Sequence, residues 1–134
     1  MMISTKGRYA LRVMVDLAEH GGDNYISMKS VAERQGISLK YMEKILPLLV
    51  ASKLVEGVHG RGGGYRLTRK PEEYPIAEIL TQTEGTLAPV ACLACGAEEC
   101  TRMEECRTLP LWAGLNEVIG NYLNSVTLAD YVKK

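Results

Sequence analysis

Ser27-Met-Lys-Ser-Val-Ala-Glu-Arg-Gln-Gly36, followed by Ile37-Ser-Leu-Lys-Tyr-Met-Glu-Lys-Ile-Leu-Pro-Leu-Leu-Val-Ala-Ser-Lys53, decides how this chain folds. Ser27 precedes apolar residues at helical spacing (Met28, Val31, Ala32), and Gly36 ends the run. A serine oxygen satisfies the free N–H groups at a helix start, and glycine adopts the left-handed backbone at a helix end. The spacing therefore predicts a short helix. Ser38 then caps a longer run, Leu39 to Lys53, in which Tyr41, Met42, Ile45, Leu48, Leu49 and, just beyond it, Leu54 recur every three or four residues. Pro47 inside that run predicts a kink or a break, because proline removes one helical hydrogen bond. A short helix, a glycine turn and a second capped helix make the helix-turn-helix spacing, in which the second helix offers its N-terminal side chains to the DNA major groove.

Downstream, Leu54-Val-Glu-Gly-Val58 and Tyr65-Arg-Leu-Thr-Arg69 alternate like strands around His59-Gly-Arg-Gly-Gly-Gly64. A hairpin after a helix-turn-helix is a wing. Its glycines allow close approach to a phosphate chain and put His59 and Arg61 at a tip suited to the narrow minor groove. A nucleotide-binding loop is a poor alternative: a dinucleotide fingerprint needs glycine where Tyr65 stands, and no Gly-Lys-Ser/Thr is present. Upstream, Ser4 to His20 places Tyr9, Val13, Asp16 and Leu17 near one stripe, with Leu11, Met14, Val15 and Ala18 around it, before Gly21-Gly22. That segment reads as a helix capped by Ser4 or Thr5.

After Pro71 the chain changes character. Pro75 opens a short amphipathic helix with Ile76, Ile79 and Leu80, Gly85 ends it, and an irregular segment runs to about Arg107. A final helix from Leu109 carries Leu111, Trp112, Leu115, Val118, Ile119, Tyr122 and Leu123. This apolar face is wide for a small N-terminal domain to cover, so self-association is expected, with fold-back onto its own domain as the alternative. The expected organisation is a winged helix-turn-helix domain over 1–74, a short helix and cysteine-rich loop over 75–108, and a dimerisation helix with a C-terminal tail over 109–134. The fold class is mainly α with a small β wing.

Cys92, Cys95, Cys100 and Cys106 sit close together among Gly96, Glu98, Glu99, Glu104 and Glu105. Buried structural cysteines would be scattered through the periodic segments, so the clustering points to thiolate ligation or redox chemistry. Structural zinc usually takes two Cys-x-x-Cys knuckles, of which only Cys92-Leu-Ala-Cys95 is present. Iron-sulfur clusters accept short irregular spacings and would make the loop a sensor. Zinc remains the lesser alternative, a thioredoxin-like dithiol lacks its βαβ context, and a DNA-binding repressor with zinc-bound or metal-free cysteines, regulated by thiol redox or by a partner protein, is the second reading.

The 134 residues fit one domain or a domain with an appendage, and 46 % hydrophobic with 24 % charged residues suits a chain with a packed core. With no Phe, seven Tyr and one Trp, that core leans on aliphatic side chains and Met. The longest apolar stretch, Ile45 to Ala51, is far short of the roughly 18 to 20 residues of a membrane span, and Lys6 and Arg8 interrupt any signal core, so a cytoplasmic protein with no membrane partner is expected. The zero net charge hides an asymmetry: residues 1–70 hold 12 Lys and Arg against 6 Asp and Glu, residues 71–134 hold 4 against 10. A polyanion partner is thereby expected for the first half. An enzyme is poorly supported, because the two histidines, His20 and His59, lie at a helix end and a wing tip with no nucleophile–base pair evident.

Four segments together carry a family resemblance: Ser4-Thr-Lys-Gly-Arg-Tyr-Ala-Leu-Arg12, Ile37-Ser-Leu-Lys-Tyr-Met-Glu-Lys-Ile-Leu46, Gly60-Arg-Gly-Gly-Gly-Tyr-Arg-Leu67 and Ser125-Val-Thr-Leu-Ala-Asp130. Over nearly its whole length the chain resembles the Rrf-type bacterial winged-helix transcriptional regulators, and among them the iron-sulfur-sensing branch. The resemblance implies a homodimer formed through the C-terminal helix, palindromic double-stranded promoter DNA as partner, and in many members an iron-sulfur cluster ([2Fe-2S] or [4Fe-4S]) held by three cysteines. Two departures stand out. Cys100 and Cys106 keep the five-residue interval of that branch, but seven residues separate Cys92 from Cys100, and Leu109 occupies the place of the family's histidine ligand. Cys95 is then the available fourth ligand, or one of Cys92 and Cys95 is a bystander. The wing carries His59-Gly-Arg61 where members often have Arg-Gly-Pro.

DNA chemistry distributes the expected roles. Ser38, Lys40, Tyr41, Glu43 and Lys44 lie at the start of the second helix, where lysine donates to guanine or phosphate and glutamate accepts from the cytosine amino group. Lys6, Arg8 and Arg12 are expected on phosphates, and His59 and Arg61 in the minor groove.

Overall fold

The computed structural model describes residues 3–94 and 104–133. Helix α1 (Thr5–His20) opens at Ser4, whose hydroxyl accepts the N–H of Gly7 at 3.1 Å. Helix α2 (Met28–Gln35) starts at Ser27, which accepts the N–H of Ser30, and closes at Gly36 with φ +64°. Helix α3 (Leu39–Ala51) starts at Ser38, which accepts the N–H of Tyr41. The three serines expected to cap these helices do so.

Pro47 neither breaks α3 nor ends it. Pro47 and Glu43, one turn earlier, are both on the exposed side of the helix, so the carbonyl deprived of its partner faces water. The helix stops at Ala51, two residues before the expected end, because Lys53 adopts φ +62° and the Leu54 N–H turns back to the Leu49 carbonyl at 3.0 Å. Leu49 and Leu54 are both buried, the apolar contact that accompanies this kind of helix end.

Strands β1 (Val55–Val58) and β2 (Gly64–Leu67) pair antiparallel, with Val55 opposite Leu67 and Val58 opposite Gly64. Ile26 adds a third rung, exchanging two backbone hydrogen bonds of 2.8 Å with Tyr65. This bridge ties the start of β2, close to the wing turn, to the entry of α2. A Cβ at Gly64 would collide with the Ile26 carbonyl, so glycine is what lets the two backbones meet.

Helix α4 (Ile76–Glu84) begins after Pro75 and crosses α1 closely. Gly7 is buried at the crossing, where a side chain would strike the Glu84 carboxylate, and Glu84 in turn accepts from the Ser4 backbone and hydroxyl at 3.2 and 2.6 Å. The core, with Val13, Met14, Leu17, Met42, Ile45, Leu49, Leu54, Tyr74 and Ile79 at its centre, spans α1, α3 and α4.

Helix α5 (Leu109–Ser125) follows Thr108 and contributes no fully buried side chain. Leu111, Leu115, Val118 and Tyr122 are exposed, Val118 at 64 %, while Leu123 packs on the core. The tail beyond it returns to the core: the Ile76 N–H binds the Val126 carbonyl, the Leu128 N–H binds the Tyr74 carbonyl at 2.9 Å, and Leu128 is fully buried. The segment after α5 therefore packs beside Tyr74 and the start of α4. Among the described residues, no helix is long and apolar enough to cross a membrane.

Candidate nucleic-acid interface

Ser38 is occupied as a cap, which fixes where α3 starts and which side chains its first turn presents. Met42, Ile45, Leu46 and Leu49 point into the core, so Leu39, Lys40, Glu43, Lys44, Pro47 and Val50 form the outward face. At 100° per residue this face has two edges: Leu39, Glu43 and Val50 along one, Lys40 and Lys44 along the other. A cationic edge beside an apolar and acidic one can hold phosphate with the first and meet base edges with the second.

Tyr41 is half-buried and stands edge-on to Tyr9 of α1, with ring centroids 5.3 Å apart at 69°. Arg12 lies over the Tyr9 ring at 5.1 Å, and the Lys44 ammonium lies 5.9 Å from the Tyr41 centroid. A cation, two rings and a second cation thus run from α1 to α3, so Tyr41 joins the helices and orients the charges at both ends. Arg12 also donates to the carbonyl and side chain of Gln35, which anchors it at the end of α2. Arg8 is exposed and donates to Thr5 Oγ1 at 3.1 Å, and Lys6 is half-buried.

At the wing, Gly60 and Gly62 have φ +96° and +72°, and the Gly63 N–H closes the turn on the Gly60 carbonyl at 3.0 Å. His59 and Arg61 are exposed there. His59 also lines a groove of about 350 Å³ together with Pro47, Val50, Ala51 and Val58, so the wing and the C-terminal half of α3 share one concave surface. Arg66 stiffens the wing from behind: it pairs with Glu56 across the strands, donates to the Asp23 carbonyl and stacks 4.4 Å over Tyr25.

Two positions carry weight that sequence periodicity conceals. Asp16, on the apolar stripe of α1, is fully buried and accepts two hydrogen bonds from Arg34, at 3.0 and 2.7 Å, and one from Gln35 at 2.9 Å. Burial works to raise the Asp16 pKa, but the hydrogen bonds of Arg34 and Gln35 and the charges of Arg34 and His20 outweigh it and hold the carboxyl below its ordinary range. A carboxylate on a core stripe, with arginine and glutamine at the end of the next helix, is the signal for it in the sequence. Tyr74 is the second: its buried hydroxyl donates to the Leu54 carbonyl and accepts from the N–H groups of Thr68 and Arg69, fastening both ends of the wing to the core.

Of the four cysteines, Cys92 lies half-buried in a single turn, Ala91–Leu93, and Cys106 lies half-buried just before α5, its sulfur 3.5 Å from Thr108 Oγ1. Cys95 and Cys100 fall outside the described residues. Among the described residues no three His, Cys, Asp or Glu side chains converge as metal ligands. The chemistry of the donor set, four thiols close together in the chain, fits iron-sulfur or zinc. Leu109, the first residue of α5, brings no ligand atom to the place where the resemblance implies a histidine.

The comparisons with known proteins agree with this architecture. Residues 3–134 match the model of the Rrf2 family, described as iron-dependent transcriptional regulators. The chain is 36 % identical to the HTH-type transcriptional regulator IscR of Serratia proteamaculans, over 98 % of this chain and 79 % of that protein. The structure of CymR, the global cysteine regulator of B. subtilis, superposes with a TM-score of 0.79 at 32 % identity, covering 98 % of this chain and 95 % of CymR. IscR of T. potens superposes with a TM-score of 0.73 at 33 % identity, over 98 % of this chain and 85 % of that one. These relatives are transcriptional regulators and not enzymes. With its winged helix-turn-helix fold and a family match over nearly its full length, the chain belongs to the Rrf2 family of transcriptional regulators.

Proposed function

We propose that this chain is a homodimeric regulator that reads two-fold double-stranded promoter sites through α3 and the wing and reports iron-sulfur, redox or nitric-oxide status through its cysteines. The observation that carries the DNA-binding part is the outward face of a capped second helix sharing a groove with a glycine wing. In this reading Lys40 and Lys44 meet phosphate or guanine, Glu43 accepts from a cytosine amino group, Arg8 and Arg12 with Lys6 hold phosphates, and His59 and Arg61 enter the minor groove. The exposed apolar face of α5 supports a two-fold dimer. Such a dimer must hold its recognition helices about 34 Å apart.

Cys92, Cys95, Cys100 and Cys106 are the residues that would hold an iron-sulfur cluster, with zinc as the lesser alternative. A cluster would supply a redox- and ligand-sensitive group between the DNA-reading domain and α5. The cysteine segment connects these two parts, so whatever changes its order biases the separation of the reading heads by favouring one dimer geometry. Anaerobic purification with iron, sulfide and zinc counted per chain tests this, followed by promoter affinity of loaded and metal-free protein. Broad visible absorption with matching iron and sulfide and unequal affinities are expected. Equal affinities would remove cluster gating and leave DNA binding standing.

A second reading has its own support: Leu109 at the histidine position and the likeness to the cysteine regulator CymR favour cysteines acting as thiols without metal. A colourless, iron-free protein whose DNA affinity changes on mild oxidation is its signature.

A further inference from the structure

On the second helix of a DNA-reading domain every exposed side chain is a candidate reader, and α3 exposes a large apolar one at its first position. Leu39 is 46 % exposed, although the same helix buries Met42, Ile45, Leu46 and Leu49. The fold does not use Leu39 as core. It stands directly after the capping Ser38 and one turn before Glu43, on the same edge of the helix. It also walls a shallow groove of about 390 Å³ with Lys29, Ala32, Glu33, Gly36 and Ile37, beside the turn between α2 and α3.

The major groove offers apolar contact at one kind of place, the C5 methyl of thymine, and the amino group that a glutamate can accept from belongs to cytosine. Both groups mark pyrimidines. Side chains at i and i+4 on one helix edge are about 5 to 6 Å apart, which places Leu39 and Glu43 within reach of neighbouring base pairs. We propose that Leu39 is a specificity-determining residue that reads a thymine methyl next to the base read by Glu43, a role that rests on the DNA-binding reading given above.

The probe is a duplex selected by the full-length protein from a pool of random sequence, then resynthesised with each thymine in turn replaced by deoxyuridine, which removes only the methyl. A buried methyl-sized group is worth about fourfold in an equilibrium constant. Wild-type protein is expected to bind about fourfold more weakly when one particular thymine in each half-site is replaced. Leu39→Ala should lose about that factor on the parent duplex and become indifferent to the replacement. Leu39 is outside the core, so the variant keeps the wild-type far-UV spectrum, and Leu39→Met, which retains an apolar tip, keeps the methyl sensitivity. Wild-type indifference to every replacement, or equal sensitivity in Leu39→Ala, overturns the role of Leu39 while leaving DNA binding intact. Failure of the pool to yield any bound sequence overturns both readings.

Discussion

Asp16→Asn is the most informative single change to the scaffold, because it removes one charge and leaves the shape almost unaltered. In the native protein the carboxylate is fully buried between Arg34 and Gln35 and closes α1 onto the helix that precedes α3. Breaking a buried pair costs about 3 to 5 kcal/mol when the remaining charge is also buried. The Arg34 side chain is 35 % exposed and regains water when abandoned, which lowers the expected cost to about 2 kcal/mol, within the range of charge-assisted hydrogen bonds. With a urea dependence of about 2 kcal/mol per molar, the unfolding midpoint falls by about 1 M at fixed protein concentration. Arg34→Ala should cost more, about 3 to 5 kcal/mol, because it abandons the fully buried carboxylate, and adding Asp16→Asn to it should cost little or nothing further, since both remove one shared interaction. The carboxyl pKa is lowered in the folded state, so its stabilisation is present above the unfolded value near 4 and fades as pH falls through the lower folded value. Asp16→Asn should therefore flatten the loss of stability between about pH 5 and pH 2. A midpoint shift under about 0.3 M, or additive single and double variants, would refute the reasoning.

Other changes follow from the same interactions. Tyr74→Phe leaves the Leu54 carbonyl with only its longer bond from the Thr68 hydroxyl and frees the part-buried N–H groups of Thr68 and Arg69, so about 1 to 2 kcal/mol is lost and those two amides exchange faster with solvent. Val118→Glu together with Leu111→Glu changes two exposed positions of α5 and should turn a sedimenting dimer into a monomer without altering helix content; an unchanged dimer would place the interface elsewhere.

The extent to which this fold is legible in the sequence depends on whether the deciding physics is local. Ser4, Ser27 and Ser38, with Gly36 and Gly85, act within one turn of themselves, and the helix boundaries follow from them. Whether Pro47 breaks α3 depends on which way its carbonyl partner faces, a property of the folded helix, and here the helix runs through it. The Ile26–Tyr65 bridge, the Tyr74 clamp and the return of Leu128 to the core each join residues far apart in the chain, and no local pattern announces them. At the interface, residue types and spacing point to the α3 face and the wing tip. The anchoring of Arg12 to Gln35 and of Tyr41 to the α1 junction comes from packing.

The central claim, that α3 and the wing bind nucleic acid through their cations, is tested most directly by the salt dependence of binding to the selected duplex. Phosphate contacts release counterions, so the logarithm of affinity should fall linearly with the logarithm of salt, with a slope of about 0.9 per neutralised phosphate. Glutamine variants of Lys40, Lys44 and Arg61, made singly, should each reduce that slope by about 1 where the native cation pairs with a phosphate. Wild-type affinity that does not change between about 50 and 200 mM salt, or variants with the wild-type slope, would contradict the account.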